Sequence, residues 1–443
     1  MNAPRVNGVV PALTAPRRAR RPSVAEAVLG SGLRVIAVRK AGIPMAEVRL
    51  RLPALSSRAT HPARVNLMAD AMLTGAGARN RTDLAAAIQA LGADLSVGVD
   101  ADRLLLSANV LATNLPRLLA VLADVLGGAT YPTSEVATER ERLVERLTIA
   151  RSRPTVVAAE ELALRMWGGH PYAVDLPRVE AVAAVSAAQV RALHAALVRP
   201  HEAVLVIVGD VQPRRVLDQA ARELAAWTGT RDPVRVPALP QPGGGPLRVI
   251  DRPDSVQSSL RLGRPALRRQ DERYPALQLA NLIFGGYFSS RWTENIREDK
   301  GYTYGPHSRI DHHVLGSVLQ LDVEVATEVT APSWLETAYE LGRLATLPVT
   351  QQELDSVRQY AVGTLSLSIA TQAGLASTLS SLAGAGLDLD WVLTHPARLA
   401  AVTVEDVREV AAQFFAPGGF TAVVVGDAAA ITTPLARLTS LDT

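Results

Sequence analysis

The segment RWTENIREDKGYTYGPHS, residues 291–308, concentrates charged and aromatic side chains in a chain that has few aromatics. Within it, Arg297 and Tyr304 stand on either side of Gly301. If a helix ends near Lys300 and Gly301 turns the chain, both side chains converge on one point. Arg297 then offers a charged fork of donors that suits a carbonyl or carboxylate, and Tyr304 offers a hydroxyl that can donate to an oxygen atom. Neither residue is a usable general base, so the pair by itself can bind and polarise a group but cannot take a proton from it.

Both residues also have ordinary structural interpretations. Arg297 can form a surface salt bridge with Glu294 or Glu298, and Tyr304 can be a half-buried ring that satisfies a backbone group. We expect the start of the same helix to be capped and seated by three residues, Ser289, Ser290 and Arg291.

The elements that must position this segment occur twice along the chain. GLRVIAV at residues 32–38 resembles PLRVIDR at residues 246–252, and the AVLVIVGDV around Gly209 resembles the TAVVVGDAA around Gly426. The separation is nearly constant and far longer than a solenoid repeat, which predicts two domains of similar build. The Pro- and Gly-rich stretch at residues 236–247 predicts a linker. The predicted divisions are a basic arm (residues 1–24), a first domain (25–235), this linker, and a second domain (248–443).

Within each half, β-branched runs alternate irregularly with amphipathic stretches. RVIAV, AEVRLRL and EAVLVIVGDV are typical of strands, whereas PARVNLMADAML and TSEVATERERLVERLTIARSR have helical periodicity. Asn114 is expected to cap a helix that Gly127 stops. These patterns predict an α+β fold with two homologous domains, each an antiparallel or mixed sheet with helices packed on one face.

Composition narrows the function classes. The 443 residues carry a formal charge of only +3, and acidic and basic residues are interleaved, so no nucleic-acid footprint is expected. The chain has no cysteine, which excludes disulfides, thiol catalysis and thiolate metal ligands. No apolar run reaches membrane-spanning length, and the arginines between Arg17 and Arg21 follow rather than precede a short apolar run, unlike a secretory signal. We therefore expect a cytoplasmic protein, not bound to a membrane, whose basic arm is a solvated tail or a strap for a partner.

The segment NLIFGGYFSSRWTENIREDKGYTYG resembles the second-half signature of the pitrilysin/insulinase-type zinc peptidases, the inverzincins. The positions that carry the resemblance are Asn281, Gly285, Gly286, Phe288, Ser289, Ser290, Arg291, Arg297, Glu298, Gly301 and Tyr304. The duplicated halves and the glycine-rich linker are also similar to that family. The resemblance implies that Arg297 and Tyr304 reach from a second half to the zinc bound by a first half, as catalytic and substrate-binding groups.

Active members of that family bind zinc through H-x-x-E-H on a first-half helix, with a further Glu from a later helix. Here the corresponding helix places Asn66, Ala69 and Asp70 at the three key positions, and Glu141 or a neighbour is expected where the third ligand would be. No histidine lies between His61 and His170, so no shift in register restores the motif. This chain is therefore predicted to bind no cofactor itself. The alternative for Glu139, Glu141 and Glu145 is a solvated helix face with i,i+4 charge pairs.

Other candidate residues lack the companions that chemistry needs. His170 follows two glycines and is expected in a loop, and His312 and His313, being adjacent, would point to opposite faces of a strand. The glycines at 243–245 lack the Lys-Ser/Thr of a phosphate loop, and no serine has a recognisable nucleophile turn.

The sequence thus favours a half-enzyme. We expect the non-zinc subunit of a heterodimeric metallopeptidase, with zinc and H-x-x-E-H on a homologous partner and unfolded peptides, among them leader peptides, as substrates. An Ala- and Arg-rich composition indicates a bacterial source of high GC content. The alternative is an inert scaffold or peptide-binding core subunit, for which Arg297 and Tyr304 are not needed. A third hypothesis, an autonomous peptidase with an altered site, needs a general base that the sequence does not offer.

Overall fold

The computed structural model describes residues 21–232 and 234–443, so nearly all of the predicted basic arm lies outside the described residues. The strands of the first half are β1 (Val24–Val28), β2 (Arg34–Arg39), β3 (Met45–Pro53), β4 (Gly75–Ala76), β5 (Arg79–Asn80), β6 (Asp94–Val99), β7 (Arg103–Leu111) and β8 (Val204–Gly209). Its helices are α1 (His61–Ala71), α2 (Arg81–Gln89), α3 (Leu115–Gly128), α4 (Thr133–Arg151), α5 (Pro154–Trp167), α6 (Val179–Ala183), α7 (Ala187–Leu197) and α8 (Pro213–Glu223).

The second half repeats this arrangement. Its strands are β9 (Leu247–Asp251), β10 (Gln257–Ala266), β11 (His307–His312), β12 (Ser317–Ala326), β13 (Thr421–Gly426) and β14 (Leu441–Asp442). Its helices are α9 (Tyr274–Asn281), α10 (Arg291–Thr293), α11 (Thr330–Thr346), α12 (Gln351–Ser368), α13 (Gln372–Ala383), α14 (Leu389–Ala401), α15 (Val404–Phe414) and α16 (Ala428–Ala436). None of the helices in the described residues is both long enough and apolar enough to cross a membrane.

Each half is built on a six-stranded mixed sheet. The strand orders are β1-β2-β8-β3-β7-β6 and β11-β12-β10-β13-β9-β14. In both sheets one central pair is parallel, β2 with β8 and β9 with β13, while the long neighbouring pairs β3–β7 and β10–β12 are antiparallel. The two repeated motifs of the sequence are these parallel pairs, and the predicted α+β class with two homologous halves is confirmed.

Side chains on the central strands alternate between two apolar layers. In β8, Leu205 and Ile207 join the core formed with the helices of the first half, whereas Val206 and Val208 face the opposite side. In β13, Val424 joins the second-half core and Val423 faces away from it. Both faces of these strands are therefore buried, which explains their uninterrupted apolar sequences.

The second face of each sheet is covered by helices from the other half. Helix α13 of the second half packs on β3 and β8, with Leu389 and Val392 of α14 in the same cluster, and helix α5 of the first half packs on β10 and β13. Gly263 in β10 makes this approach possible, because a Cβ there would lie 2.6 Å from Sδ of Met166 on α5. This reciprocal exchange of helices joins the two halves into one packed unit.

Two details differ from the sequence expectations for helix α3. The Asn114 side chain does not cap the helix but donates to the carbonyl of Leu91 at 3.0 Å. The helix also continues through Gly127 and ends at Gly128. Its buried leucine and valine face outweighs the small helix-breaking tendency of one glycine.

Candidate functional site

The turn expected at Gly301 forms the end of a distorted helix. Helix α10 continues into a π-helical segment, Glu294–Asp299, and Gly301 follows with a φ of 64°. Its N–H donates to the carbonyl of Arg297 at 3.0 Å. Such a left-handed residue closes a helix and reverses the chain, and glycine adopts it without strain. The reversal brings the following loop back alongside Arg297.

Arg297 and Tyr304 meet as the sequence predicts, through stacking. The Arg297 Cζ lies 4.3 Å from the centre of the Phe288 ring and 5.3 Å from that of Tyr304. A guanidinium between two aromatic faces is held by cation–π attraction while its N–H groups remain available. Its nearest carboxylate is that of Glu298, at 3.5 Å, so the surface ion pair exists beside the stacking. Phe288, as a stacking partner, was not foreseen, although an exposed aromatic in an aromatic-poor chain is a usable signal.

Tyr304 is among the most exposed aromatic side chains of the described residues, at 90%, and Phe288 is 62% exposed. Within the described part of the chain, the Tyr304 hydroxyl and the Arg297 guanidinium form no hydrogen bond to the protein. The half-buried ring considered for Tyr304 is therefore wrong. The arrangement presents several hydrogen-bond donors, pre-positioned by stacking, to whatever lies outside this surface.

The segment is anchored by a buried tryptophan beneath it. Trp292 is fully buried, stacks on Phe284 at 5.2 Å between ring centres, and donates from Nε1 to the Thr337 hydroxyl at 3.1 Å. The helix begins after Ser290, but the expected capping by its side chain is wrong: the Ser290 hydroxyl bonds to that of Thr293 at 2.9 Å and not to a backbone N–H.

Arg291 ties the segment to helix α12. Its guanidinium donates to both carboxylate oxygens of Glu353, at 2.7 and 3.0 Å. Glu353 also accepts from the backbone N–H of Thr350 in the capping box that begins α12. Burial would raise the pKa of Glu353, but the hydrogen bonds from Arg291 and Thr350 outweigh it and lower that pKa to about 2. Arg291 therefore has a seating role, in a doubly bonded, largely buried ion pair.

The positions that correspond to a zinc motif form a different arrangement on α1. Asn66 donates to the carbonyl of Pro62 one turn back at 2.8 Å, and Ala69 is buried. Asp70 forms an ion pair with Arg146 of α4, with 2.5 Å between oxygen and nitrogen. Burial raises the pKa of Asp70, and the charge of Arg146 partly offsets this. A guanidinium thus fills the space opposite Asp70.

The two glutamates on α4 differ from the sequence expectation. Glu141 is exposed. Its neighbour Glu139 is the α4 carboxylate close enough to Asp70 for its charge to raise the pKa of that carboxyl. Glu139 is not on a solvated face: it is 6% exposed and accepts from Arg81 and Arg142, at 2.9 and 3.0 Å. Arg146 was missed, because nothing in the local sequence marks which α4 arginine pairs with Asp70.

These residues do not fit a zinc ion. Zinc in proteins takes three or four nitrogen, sulfur or oxygen ligands, and a nearby guanidinium opposes a divalent cation. Among the described residues, no group of three or more His, Asp or Glu side chains is arranged to hold a metal. The α1–α4 pair therefore offers two nearby carboxylates, Asp70 and Glu139, and each is already paired with arginine.

Three further histidines make structural contacts. His170 is not an ordinary loop residue: it is 3% exposed, and its Nδ1 accepts from the N–H of Tyr172. His312 and His313 point apart as expected, since His312 bonds to the Tyr274 hydroxyl whereas His313 faces Asp102 of the first half at 3.6 Å.

Comparisons with known proteins agree with this arrangement. Residues 65–177 match the sequence profile described as insulinase (peptidase family M16), and residues 184–360 match the one described as peptidase M16 inactive domain. An uncharacterised zinc protease of Streptomyces coelicolor is 27% identical over 246 residues, which span 54% of this chain and about half, 53%, of that protein. A probable inactive metalloprotease of Bacillus subtilis is 26% identical over 196 residues, 43% of this chain and 45% of its own length.

Solved structures show the same fold. A crystal structure described as a peptidase M16 inactive domain from Pseudomonas fluorescens superposes with a TM-score of 0.84 at 24% identity, covering 91% of this chain and 98% of that one. A protease from Helicobacter pylori gives a TM-score of 0.84 at 16% identity, covering 91% and 100%. The chain has the fold of these metallopeptidases, but at the zinc-motif position its described residues form an ion pair and offer no set of metal ligands. The chain belongs to the M16, or insulinase, peptidase family.

Proposed function

We propose that this chain is the non-zinc subunit of a heterodimeric M16 peptidase. A homologous partner would carry H-x-x-E-H and the zinc ion, and this chain would contribute Arg297 and Tyr304 to the site between them. The observation that carries the proposal is that one chain combines two features. Its second half has exposed donors, Arg297 and Tyr304, without protein partners among the described residues, and its first half has an ion pair at the zinc-motif position. The location of the protein in the cytoplasm remains a prediction.

The proposed roles follow from the chemistry of each group. Arg297 would bind a carbonyl or carboxylate of the peptide, because its charge is permanent and its stacked fork is already oriented. Tyr304 would donate a hydrogen bond to the oxygen that becomes negative when the peptide carbonyl is attacked. The base and the metal-activated water would belong to the partner, so this chain alone would not cleave a peptide. The proposed substrates are unfolded peptides, which include leader peptides.

The test is reconstitution with a partner of similar length that carries H-x-x-E-H. This chain alone should show no peptidase activity, and the complex should cleave an unfolded peptide in a zinc-dependent way. Tyr304→Phe keeps the ring over Arg297 and removes only the hydroxyl, so it should lower kcat on the order of tenfold to a hundredfold, with assembly unchanged. Arg297→Ala should lower kcat/KM further, because it also removes binding of the substrate.

Two matched controls separate a site effect from a surface effect. Tyr339→Phe alters a tyrosine on α11 that is 57% exposed, and Arg273→Ala alters an exposed arginine paired with Asp271 at 3.0 Å. Neither should change turnover. Normal cleavage by both Tyr304→Phe and Arg297→Ala complexes would show that the assigned roles are wrong.

An inert scaffold is the second candidate, and the match of residues 184–360 to an inactive-domain profile favours it. A scaffold requires a stable complex but neither donor. Assembly with a partner, combined with full activity of both variants, would support this alternative over the half-enzyme.

A further inference from the structure

A cavity of about 230 Å³ lies where the two halves meet, away from the Arg297 surface. The first half contributes Arg51 from β3 and the hairpin between β6 and β7. The second half contributes Arg269, the turn after β11 with His313, and the end of α13 at Gly384. Neither half encloses the cavity alone, so it exists only because the halves pack together.

Arg51 is the unexplained group in this cavity. Arg51 is 8% exposed, and within the described residues its side chain forms neither a hydrogen bond nor an ion pair. The guanidinium lies flat against α13, since a Cβ on Gly384 would be 1.9 Å from its Cζ. The negative end of the α13 dipole favours a cation there, but a dipole does not satisfy five N–H donors. The nitrogen atoms of Arg51 are not among the fully buried polar atoms without a partner, so they open on the cavity and their acceptors must lie within it.

The carboxylates around the cavity already have other partners. Asp100 pairs with Arg103 at 2.7 Å, and Asp311 pairs with Arg309 at 2.8 Å. Asp102 accepts from the Tyr172 hydroxyl at 2.5 Å and from the N–H of Val314 at 3.0 Å. The charges of Asp100 and Asp102 favour the charged form of Arg51, but none of these carboxylates lies within ion-pair or hydrogen-bond distance of it.

The remaining charges of the lining are positive. Arg269 donates to the Ser381 hydroxyl at 3.3 Å and has no carboxylate within ion-pair distance among the described residues. Burial lowers the pKa of His313, but the carboxylate of Asp102, 3.6 Å away, outweighs burial and raises it. Two guanidinium groups without an ion-pair partner among the described residues, one from each half, therefore line one small space.

We propose that this cavity binds a small tetrahedral oxyanion, of the phosphate or sulfate class, between Arg51 of the first half and Arg269 of the second. Guanidinium forks match the oxygens of such an anion in pairs, which supplies the acceptors that Arg51 lacks. Liquid water takes about 30 Å³ per molecule, so the cavity has room for one such anion with a few waters but not for a peptide segment. The bound anion would join the two halves, independently of any peptidase role.

The test is titration of the purified full chain with inorganic phosphate and with sulfate by calorimetry, at low and constant chloride. One site per chain is expected, together with a rise in Tm that increases with anion concentration. Arg51→Gln and Arg269→Gln should each weaken binding about tenfold or more, and Arg51→Lys should weaken it less, because it keeps the charge.

Arg49→Gln is the matched control. Arg49 lies on the same strand and also reaches α13, where it donates to Ser377, but it is paired with Glu47 at 3.0 Å. It should bind phosphate like the wild type. The absence of saturable binding at millimolar phosphate, an equal loss in Arg49→Gln, or acetate binding as tight as phosphate would each overturn the proposal. Circular dichroism of each variant confirms folding, and Arg269→Gln, which alters a more peripheral residue, keeps the test decisive if Arg51→Gln does not fold.

Discussion

The ion pair between Arg291 and Glu353 makes the most quantitative prediction, because it seats the Arg297 segment on α12. The pKa of Glu353 is lowered from 4.5 to about 2. At 1.36 kcal/mol per pKa unit, this difference corresponds to at most about 3 kcal/mol of stability at neutral pH, and solvent screening of a carboxylate that is 32% exposed reduces it. Thr350 supplies part of it, so Arg291→Met, which keeps the aliphatic stem, should lower the free energy of unfolding by about 2 kcal/mol.

The pH dependence follows from the sign of the shift. A carboxyl group with a lowered pKa in the folded state contributes stability that is full above its unfolded pKa, here 4.5, and is lost as the pH falls toward about 2. The gap of about 2 kcal/mol between wild type and Arg291→Met should therefore be nearly complete at pH 4 and smaller by about 40% at pH 3. Urea denaturation followed by tryptophan fluorescence measures both values.

A second Arg–Glu pair serves as the control. Arg408 and Glu405 on α15 also form two hydrogen bonds, but their side chains are 54% and 58% exposed. Water screens such a pair, so Arg408→Met should leave the unfolding midpoint unchanged. Equal losses in the two variants, or a loss in Arg291→Met that does not shrink on acidification, would refute the argument that burial makes the Arg291 pair strong.

Two further predictions concern the interface between the halves and the lost metal position. The carboxylate of Asp102 raises the pKa of His313. The contribution of His313 to stability is therefore full below pH 6.5 and is lost as the pH rises through its folded-state pKa. In urea denaturation, the stability advantage of wild type over His313→Asn should shrink from about pH 6 to about pH 8. At the metal position, the double variant Asn66→His with Asp70→His should not bind zinc while Arg146 is present. Adding Arg146→Glu supplies a third ligand and removes the opposing charge. The triple variant should therefore hold about one zinc per chain by elemental analysis.

The strands and most helices could be predicted from sequence because their apolar patterns match their own half's core. Helices α5 and α13 could not, since both pack on the sheet of the other half. The α13 sequence, rich in Ser, Thr and Gly, also has a weak intrinsic preference for helix. Its leucines, such as Leu375 and Leu379, become a helix face through contact with β8, a tertiary effect that no local window contains.

The candidate site likewise has one part that the local sequence predicts and one part that it does not. Arg297 and Tyr304 are brought together by a short segment with Gly301 at its turn, so their convergence follows from local chain geometry. The pair of Asp70 and Arg146 joins helices far apart in sequence, and several α4 side chains were equivalent candidates until the packing of α1 against α4 selected one. Local geometry can be read from a sequence, whereas the choice among solvent-facing residues of two packed helices requires the structure.

The loss of a metal site leaves a physical problem that the Arg146 ion pair solves. Without a cation, a carboxylate at Asp70 would be partly buried and unpaired, which raises its pKa and costs stability. Arg146 supplies a fixed positive charge in place of a bound one, so the α1–α4 packing no longer depends on metal. The second half needs no such compensation, because Arg297 and Tyr304 are exposed and stacked and lose little when nothing is bound. If the proposed function is correct, these exposed donors are the groups that a partner's substrate would meet.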